Sequence, residues 1–184
     1  MKRLQTMLLV ICVTMSALAK VRLPQFFSDN MVLQQQTDCN IWGWTEAGKK
    51  VIVLTSWDKK SYATTANKDG RFQVKVKTPE AGGPYEITFK DGETISLKNI
   101  LIGEVWICSG QSNMEMLMKG YKAQPVEGAA EELLSCNDND LRLFYGKRLA
   151  SLEPQQDLSG SWLPANAASV REFSATAYFF GKDD

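Results

Sequence analysis

Residues 100–118 read ILIGEVWICSGQSNMEMLM, and this stretch decides how the whole chain is interpreted. It opens on a nearly continuous apolar run from Ile100 to Cys108. It breaks at Ser109-Gly110-Gln111-Ser112-Asn113, then resumes as Met114-Glu115-Met116-Leu117-Met118. A short run rich in β-branched and aromatic residues reads as a strand buried on both faces. Ser112 or Asn113 is suited to cap a helix, and the Met, Glu, Leu and Lys that follow are good helix formers. The order is therefore buried strand, tight Gly-containing turn, helix. It sets Ser112 at the carboxyl end of a strand and the amino end of a helix. Open α/β sheets bind ligands at that position, and free backbone N–H groups there can stabilise a developing oxyanion.

Toward the amino terminus the pattern changes to period-two strands broken by turns, from residue 20 to about residue 97. Strands are expected at residues 39–44, 51–57, 61–66, 71–77, 85–90 and 94–97. Asn67-Lys68-Asp69-Gly70 and Asp91-Gly92 supply turns. Phe72, Val74 and Val76 alternate with Arg71, Gln73, Lys75 and Lys77, which marks a half-exposed strand. Short strands at this spacing predict a small antiparallel β-sandwich, Ig-like in broad shape. Trp42, Trp44, Trp57 and Tyr62 could form a sugar-stacking platform, but aromatics at such positions more often fill a core.

Before the first strand, residues 1–19 have the form of a secretory signal peptide. Lys2-Arg3 supplies the basic start, residues 7–15 the apolar centre, and Ala17-Leu18-Ala19 the small-residue cleavage site. The apolar run is too short to span a bilayer, which takes about 20 residues. The chain is thus expected to be exported, with no stable membrane insertion.

Toward the carboxyl terminus, Lys98-Asn99 marks the passage to an α/β part. Gly120 is suited to end the helix after Ser112, and residues 128–135 read as a short surface helix. Asn137-Asp138-Asn139-Asp140 reads as a turn; it lacks the spacing of a calcium loop. Residues 141–145 read as a second strand, 146–164 as irregular chain anchored by Trp162, and the stretch from Ser174 as helix. Two strands after Leu97 cannot form a doubly wound sheet covered on both faces, so the α/β part is expected to be cut short.

Composition narrows the chemistry. The 184 residues hold 21 Lys+Arg and 21 Asp+Glu, a balance that gives no electrostatic case for nucleic acid or an anionic membrane. There is no histidine, so no imidazole is available to take a Ser proton. Cys12, Cys39, Cys108 and Cys136 show no metal-binding spacing. No metal or cofactor is expected. Cys108 reads as a buried small hydrophobe, and a Cys39–Cys136 disulfide is open in an oxidising compartment.

The blocks GEVW at 103–106 and CSGQSNM at 108–114 resemble the sialate O-acetylesterase family, carbohydrate acetylesterases of the SGNH-hydrolase type. Residues 26–34, FFSDNMVLQ, and 173–181, FSATAYFFG, are similar to two further family segments. The turn is not the Gly-x-Ser-x-Gly elbow, because Met114 stands at the second Gly. The resemblance implies that Ser112 is the nucleophile and that its own N–H serves the oxyanion. Gly110, Gln111 and Asn113 are its motif neighbours, and the partner is an acetylated carbohydrate. It also implies an Asp-x-x-His and a Gln-Gly-Glu block, neither of which is in these residues. The expected division is a leader at 1–19, a β-sandwich at 20–98, and the truncated start of an SGNH-like α/β domain at 99–184. The alternative is an exported β-sandwich module without catalysis, in which Ser112 is only a helix cap. A Ser–Lys dyad with Lys119 carries little weight, since the helix rise separates the two. Nothing in the sequence sets an oligomeric state.

Overall fold

The computed structural model describes residues 20–183. The expected leader, residues 1–19, lies outside them. The first part is built from β1 (Val32–Gln34), β2 (Asp38–Trp44), β3 (Lys50–Thr55), β4 (Ser61–Thr65), β5 (Arg71–Lys77), β6 (Gly82–Lys90) and β7 (Thr94–Gly103). One sheet has the order β1-β7-β6-β3-β4, and β2 pairs with β5 as a second. Alternation sets which side chains face inward. In β5, Phe72, Val74 and Val76 point to the core while Arg71, Gln73, Lys75 and Lys77 point to water. They meet Val51 and Val53 of β3 and Ile87 and Phe89 of β6 in one buried cluster. Each such side chain, fully buried, contributes about 1.5–3 kcal/mol.

The expected strands form two sheets packed on one core, a sandwich in that sense, but not the all-antiparallel one expected: β1 runs parallel to β7, pairing Val32 with Leu101, so the larger sheet is mixed. β7 also runs through Lys98–Asn99 without a break. Asn99 takes φ 56° there, a left-handed conformation that Asn tolerates, and its amide donates to Asn30 Oδ1 at 2.7 Å. Trp42, Trp57 and Tyr62 pack against the core. The Arg22 guanidinium sits 3.9 Å over the Trp44 ring. Gly43 permits the Arg22–Trp44 bridge, because a Cβ there would lie 2.6 Å from the Arg22 carbonyl oxygen.

The second part contains α1 (Ser112–Glu115), α2 (Ala129–Ser135), β8 (Asn137–Phe144), β9 (Trp162–Asn166), α3 (Ala167–Arg171) and α4 (Ala175–Asp183). β8 pairs with β9, and the pairing is antiparallel, from Phe144↔Trp162 to Asn137↔Asn166. This corrects the sequence reading twice. The second strand is not part of a parallel sheet here, and residues 162–166 are strand rather than irregular chain. Asn137 to Asp140 belong to β8, yet they keep turn chemistry. Asp138 Oδ1 accepts from the N–H groups of Asp140 at 2.7 Å and Leu141 at 3.2 Å. That local bonding accounts for the register shift between Asp138 and Arg142. Asn166 then caps α3, accepting from Ala168 and Ser169, while Ser169 Oγ accepts from the Asn166 N–H. This reciprocal capping satisfies donors that a helix start leaves open.

A smaller core of Met118, Leu143, Ala165, Val170, Ala175 and Tyr178 holds this part together. It joins the sandwich through Phe26, whose ring lies 5.5 Å from Phe144 and 5.3 Å from Trp162. Trp162 Nε1 donates to the Phe26 carbonyl at 2.8 Å.

Candidate active site

The site is reached from the end of β7. Both neighbours of that strand stop at the same level: β1 ends with Gln34 opposite Gly103, and β6 begins with Gly82 opposite Ile102. Among the described residues, no strand lies alongside beyond Gly103, so the apolar run is not buried to Cys108 as expected. Trp106 is 56% exposed and Ile107 93%, and Cys108 is an exposed free thiol. An apolar run signals burial only where a covering surface exists. Gln34 supplies the anchor instead. Its Oε1 accepts from the Val105 N–H at 2.9 Å, and its Nε2 donates to Glu104 at 2.8 Å. Gln35 Nε2 donates to the same carboxylate at 2.7 Å. These bonds, Gln34 first, hold the Glu104 carboxyl below the usual range.

Gly110, Gln111, Ser112 and Asn113 are all exposed. Gln111, not Ser112 or Asn113, is the N-cap of α1, and it makes no side-chain cap bond. Ser112 stands first in the helix at φ 20°. The Met114 N–H donates to the Gln111 carbonyl at 2.7 Å, and the Met116 N–H to that of Ser112 at 3.0 Å. A Cβ on Gly110 would lie 3.1 Å from Met114 Cβ, so the turn is tight. The helix expected to continue through Met118 ends at Glu115 because the chain finds tertiary partners. Ala175 donates to Met116, Met118 to Phe173, and Lys119 to Arg171, at 2.9, 2.9 and 3.1 Å. Gly120 therefore closes a turn onto Leu117 rather than the helix.

Residues 173–181 thus lie against the Ser112 turn. Thr176 Oγ1 donates to the Asn113 carbonyl at 3.0 Å, and Ser174 Oγ lies 3.6 Å from Met114 Sδ. Among the described residues, no side chain hydrogen-bonds the Ser112 hydroxyl. Lys119 Nζ is paired with Glu172 at 2.5 Å and Glu115 with Arg148 at 2.5 Å, so neither Lys119 nor Glu115 is poised as a base. No cluster of three or more His, Cys, Asp or Glu that could hold a metal occurs among the described residues. Cys39 and Cys136 are free thiols in different cores, which corrects the open disulfide. Burial raises the pKa of both.

Two features escaped the sequence reading: Gln34 as an anchor for Glu104–Val105, and Ser174–Thr176 as the support behind the turn. Both lie in blocks whose resemblance is visible in the sequence. Their roles depend on contacts between residues 60 to 71 positions apart.

No protein-family model matches the chain. It is 26% identical over 198 residues to a sialate O-acetylesterase of Rattus norvegicus, covering 97% of this chain and 36% of that protein. It is 32% identical over 106 residues to one of Homo sapiens, covering 52% of this chain and 20% of the human protein. The crystal structure of a carbohydrate acetylesterase from Xanthomonas citri superposes with a TM-score of 0.82 at 31% identity, over 89% of this chain and 37% of that one. The chain spans about a third of the length of the rat relative, 36%. Sequence similarity along nearly the whole chain, joined to the shared fold, relates these residues to a sialate O-acetylesterase-like family.

Proposed function

We propose that these residues form the nucleophile-bearing part of an exported carbohydrate O-acetylesterase that removes acetyl groups from sialate. The observation that carries the reading is the exposed Gly110-Gln111-Ser112-Asn113-Met114 turn, in a chain similar to such esterases along 97% of its length. Its Ser has a positive φ, a sparsely populated conformation found more often at functional sites. The proposed division is a leader at 1–19, a sandwich at 20–98 and an SGNH-like part from 99 onward.

In the proposed reaction Ser112 Oγ attacks the acetyl carbonyl carbon while its proton passes to a base. The carbonyl oxygen becomes an oxyanion beside the Ser112 N–H, with Gly110, Gln111 and Asn113 shaping the turn. Collapse breaks the bond to the sugar oxygen, which takes the proton, and leaves acetyl-Ser112. Water then attacks the acyl carbon and releases acetate. The base is assigned to an imidazole outside residues 1–184, since the chain contains no histidine. Alone, the chain is expected to release no more acetate than buffer.

The test uses a longer protein that carries these residues together with an Asp-x-x-His. It should release acetate from 9-O-acetyl sialic acid, and Ser112→Ala should cut the rate by on the order of 10⁴-fold or more. Release unchanged by Ser112→Ala removes the nucleophile. Faster turnover of acetylated xylo-oligosaccharide keeps the reaction and changes the substrate. No acetate from any carbohydrate favours a binding module. Export is checked by mass spectrometry of protein from its host, which should begin at Lys20; an intact Met1 in cytosolic protein rejects export.

A further inference from the structure

A cavity of about 420 Å³ opens between the β8–β9 hairpin and α3. Small-molecule sites occupy about 300–1,000 Å³ and combine an apolar lining with a few placed polar groups. Here Leu143, Leu163 and Phe173 give the apolar surface, while Tyr145, Lys147 and Glu172 stand among them. The two charged groups differ. Glu172 is compensated by Lys119 Nζ at 2.5 Å and Arg171 Nε at 3.5 Å. Lys147 is exposed and forms no ion pair with any described residue. Its backbone N–H donates to the Ser159 carbonyl at 2.8 Å, which fixes the side chain's point of attachment at the cavity. Gly160 allows the chain to close there, because a Cβ would lie 2.6 Å from the Phe144 ring.

The cavity is tied to the Ser112 segment twice. Arg148, next to Lys147, pairs with Glu115 at the end of α1. Glu172, in the lining, pairs with Lys119 just beyond it. We propose that this cavity is a subsite for an acidic sugar, in which Lys147 takes the carboxylate and the apolar surface takes the C–H face or acyl methyl. The proposal rests on the esterase reading for its choice of sialate as the acid. It goes further in naming a residue that would separate sialate from neutral acetylated sugars. A single ammonium opposite a carboxylate gives a charge-assisted bond, and the compensated Glu172 adds little repulsion.

The experiment measures binding, not turnover, with this chain and the non-acetylated product. N-acetylneuraminic acid and its methyl ester are titrated by calorimetry and saturation-transfer NMR. The acid should bind about tenfold more tightly than the ester, a preference that shrinks as salt rises. Lys147→Gln should abolish the preference and Lys147→Arg should retain it. Equal binding of acid and ester, a preference that survives Lys147→Gln, or no binding of either sugar overturns the proposal. Those outcomes leave the Ser112 acetate-release test untouched. Conversely, Lys147-dependent sialate binding with no acetate release in the longer protein rejects the esterase alone.

Discussion

Residues 20–103 and residues 104–183 treat their apolar side chains differently. In the first region Ile41, Val51, Val53, Val76, Ile87, Phe89 and Ile100 are completely covered. Among the described residues, every exposed large hydrophobic side chain falls from Trp106 onward, Ile107, Leu134 and Leu152 being 93%, 90% and 103% exposed. Period-two strands can close on one another within a short span, since each inward row meets the row of the facing sheet. The second region has a smaller core and rests on the sandwich through Phe26, Phe144 and Trp162. Stability is therefore concentrated in the sandwich, and the Ser112 turn is carried by the region with less cover. Local openings are drawn from such low-stability parts.

The largest effect should come from the sandwich core. Phe89→Ala removes a ring with no exposure and should cost about 3–5 kcal/mol. Leu152→Ala, at 103% exposure, should change stability by less than about 0.5 kcal/mol. Urea unfolding followed by Trp fluorescence measures both. Similar losses from the two substitutions would show that the regions share one core and would break the comparison.

The same contrast explains what the sequence made legible. The sandwich strands follow from alternation that is local, as in residues 71–77, and turns such as Asn67–Gly70 carry their own geometry. The run at residues 100–108 reads as buried because its pattern reports apolar content, whereas burial depends on whether β1 and β6 extend alongside. The helix at Ser112 reads as longer than it is because the propensity of its residues favours continuation. Hydrogen bonds to Arg171, Phe173 and Ala175 take the backbone elsewhere. β9 is not legible in the sequence because WLPAN contains Pro164 and lacks alternation, yet the strand forms against β8. The Ser112 motif and its two companion blocks were legible as residues; their meeting point was not.

An intermediate effect is expected at the joint. Trp162→Phe keeps a ring beside Phe26 and Phe144 but removes the Nε1–H that donates to the Phe26 carbonyl. The lost bond and smaller ring should lower stability by about 1–2 kcal/mol. Hydrogen exchange sharpens the comparison: amides of β8 and β9 should lose protection while those of β3 and β5 keep theirs. Equal loss in both regions would mean that they open as one unit.

A smaller effect than at the joint should come from the polar clasp between α2 and α4. Tyr178 Oη donates to Glu132 Oε1 at 2.6 Å, and Lys182 Nζ lies 2.7 Å from Oε2. Bonds from Lys182 and then Tyr178 hold the Glu132 carboxyl below its usual range. Burial, and then the bond to Glu132, raise the Tyr178 hydroxyl. A carboxylate depressed in the folded state stabilises above its unfolded pKa, about 4.3, and that contribution fades as pH falls through the folded value. A raised phenol stabilises below its unfolded pKa, about 10, and fades as pH rises through its folded value. The clasp should therefore contribute most between about pH 5 and 9. Tyr178→Phe leaves the ring in the smaller core and should cost about 1 kcal/mol at pH 7. The Glu132 pKa should move back toward its usual value, so the difference from the parent should shrink at pH 3. Urea midpoints at both pH values measure this, with Phe89→Ala as the control whose cost, being apolar, should stay the same. A Tyr178→Phe cost that is also independent of pH would show that the hydroxyl does not act through Glu132, and the clasp would reduce to packing.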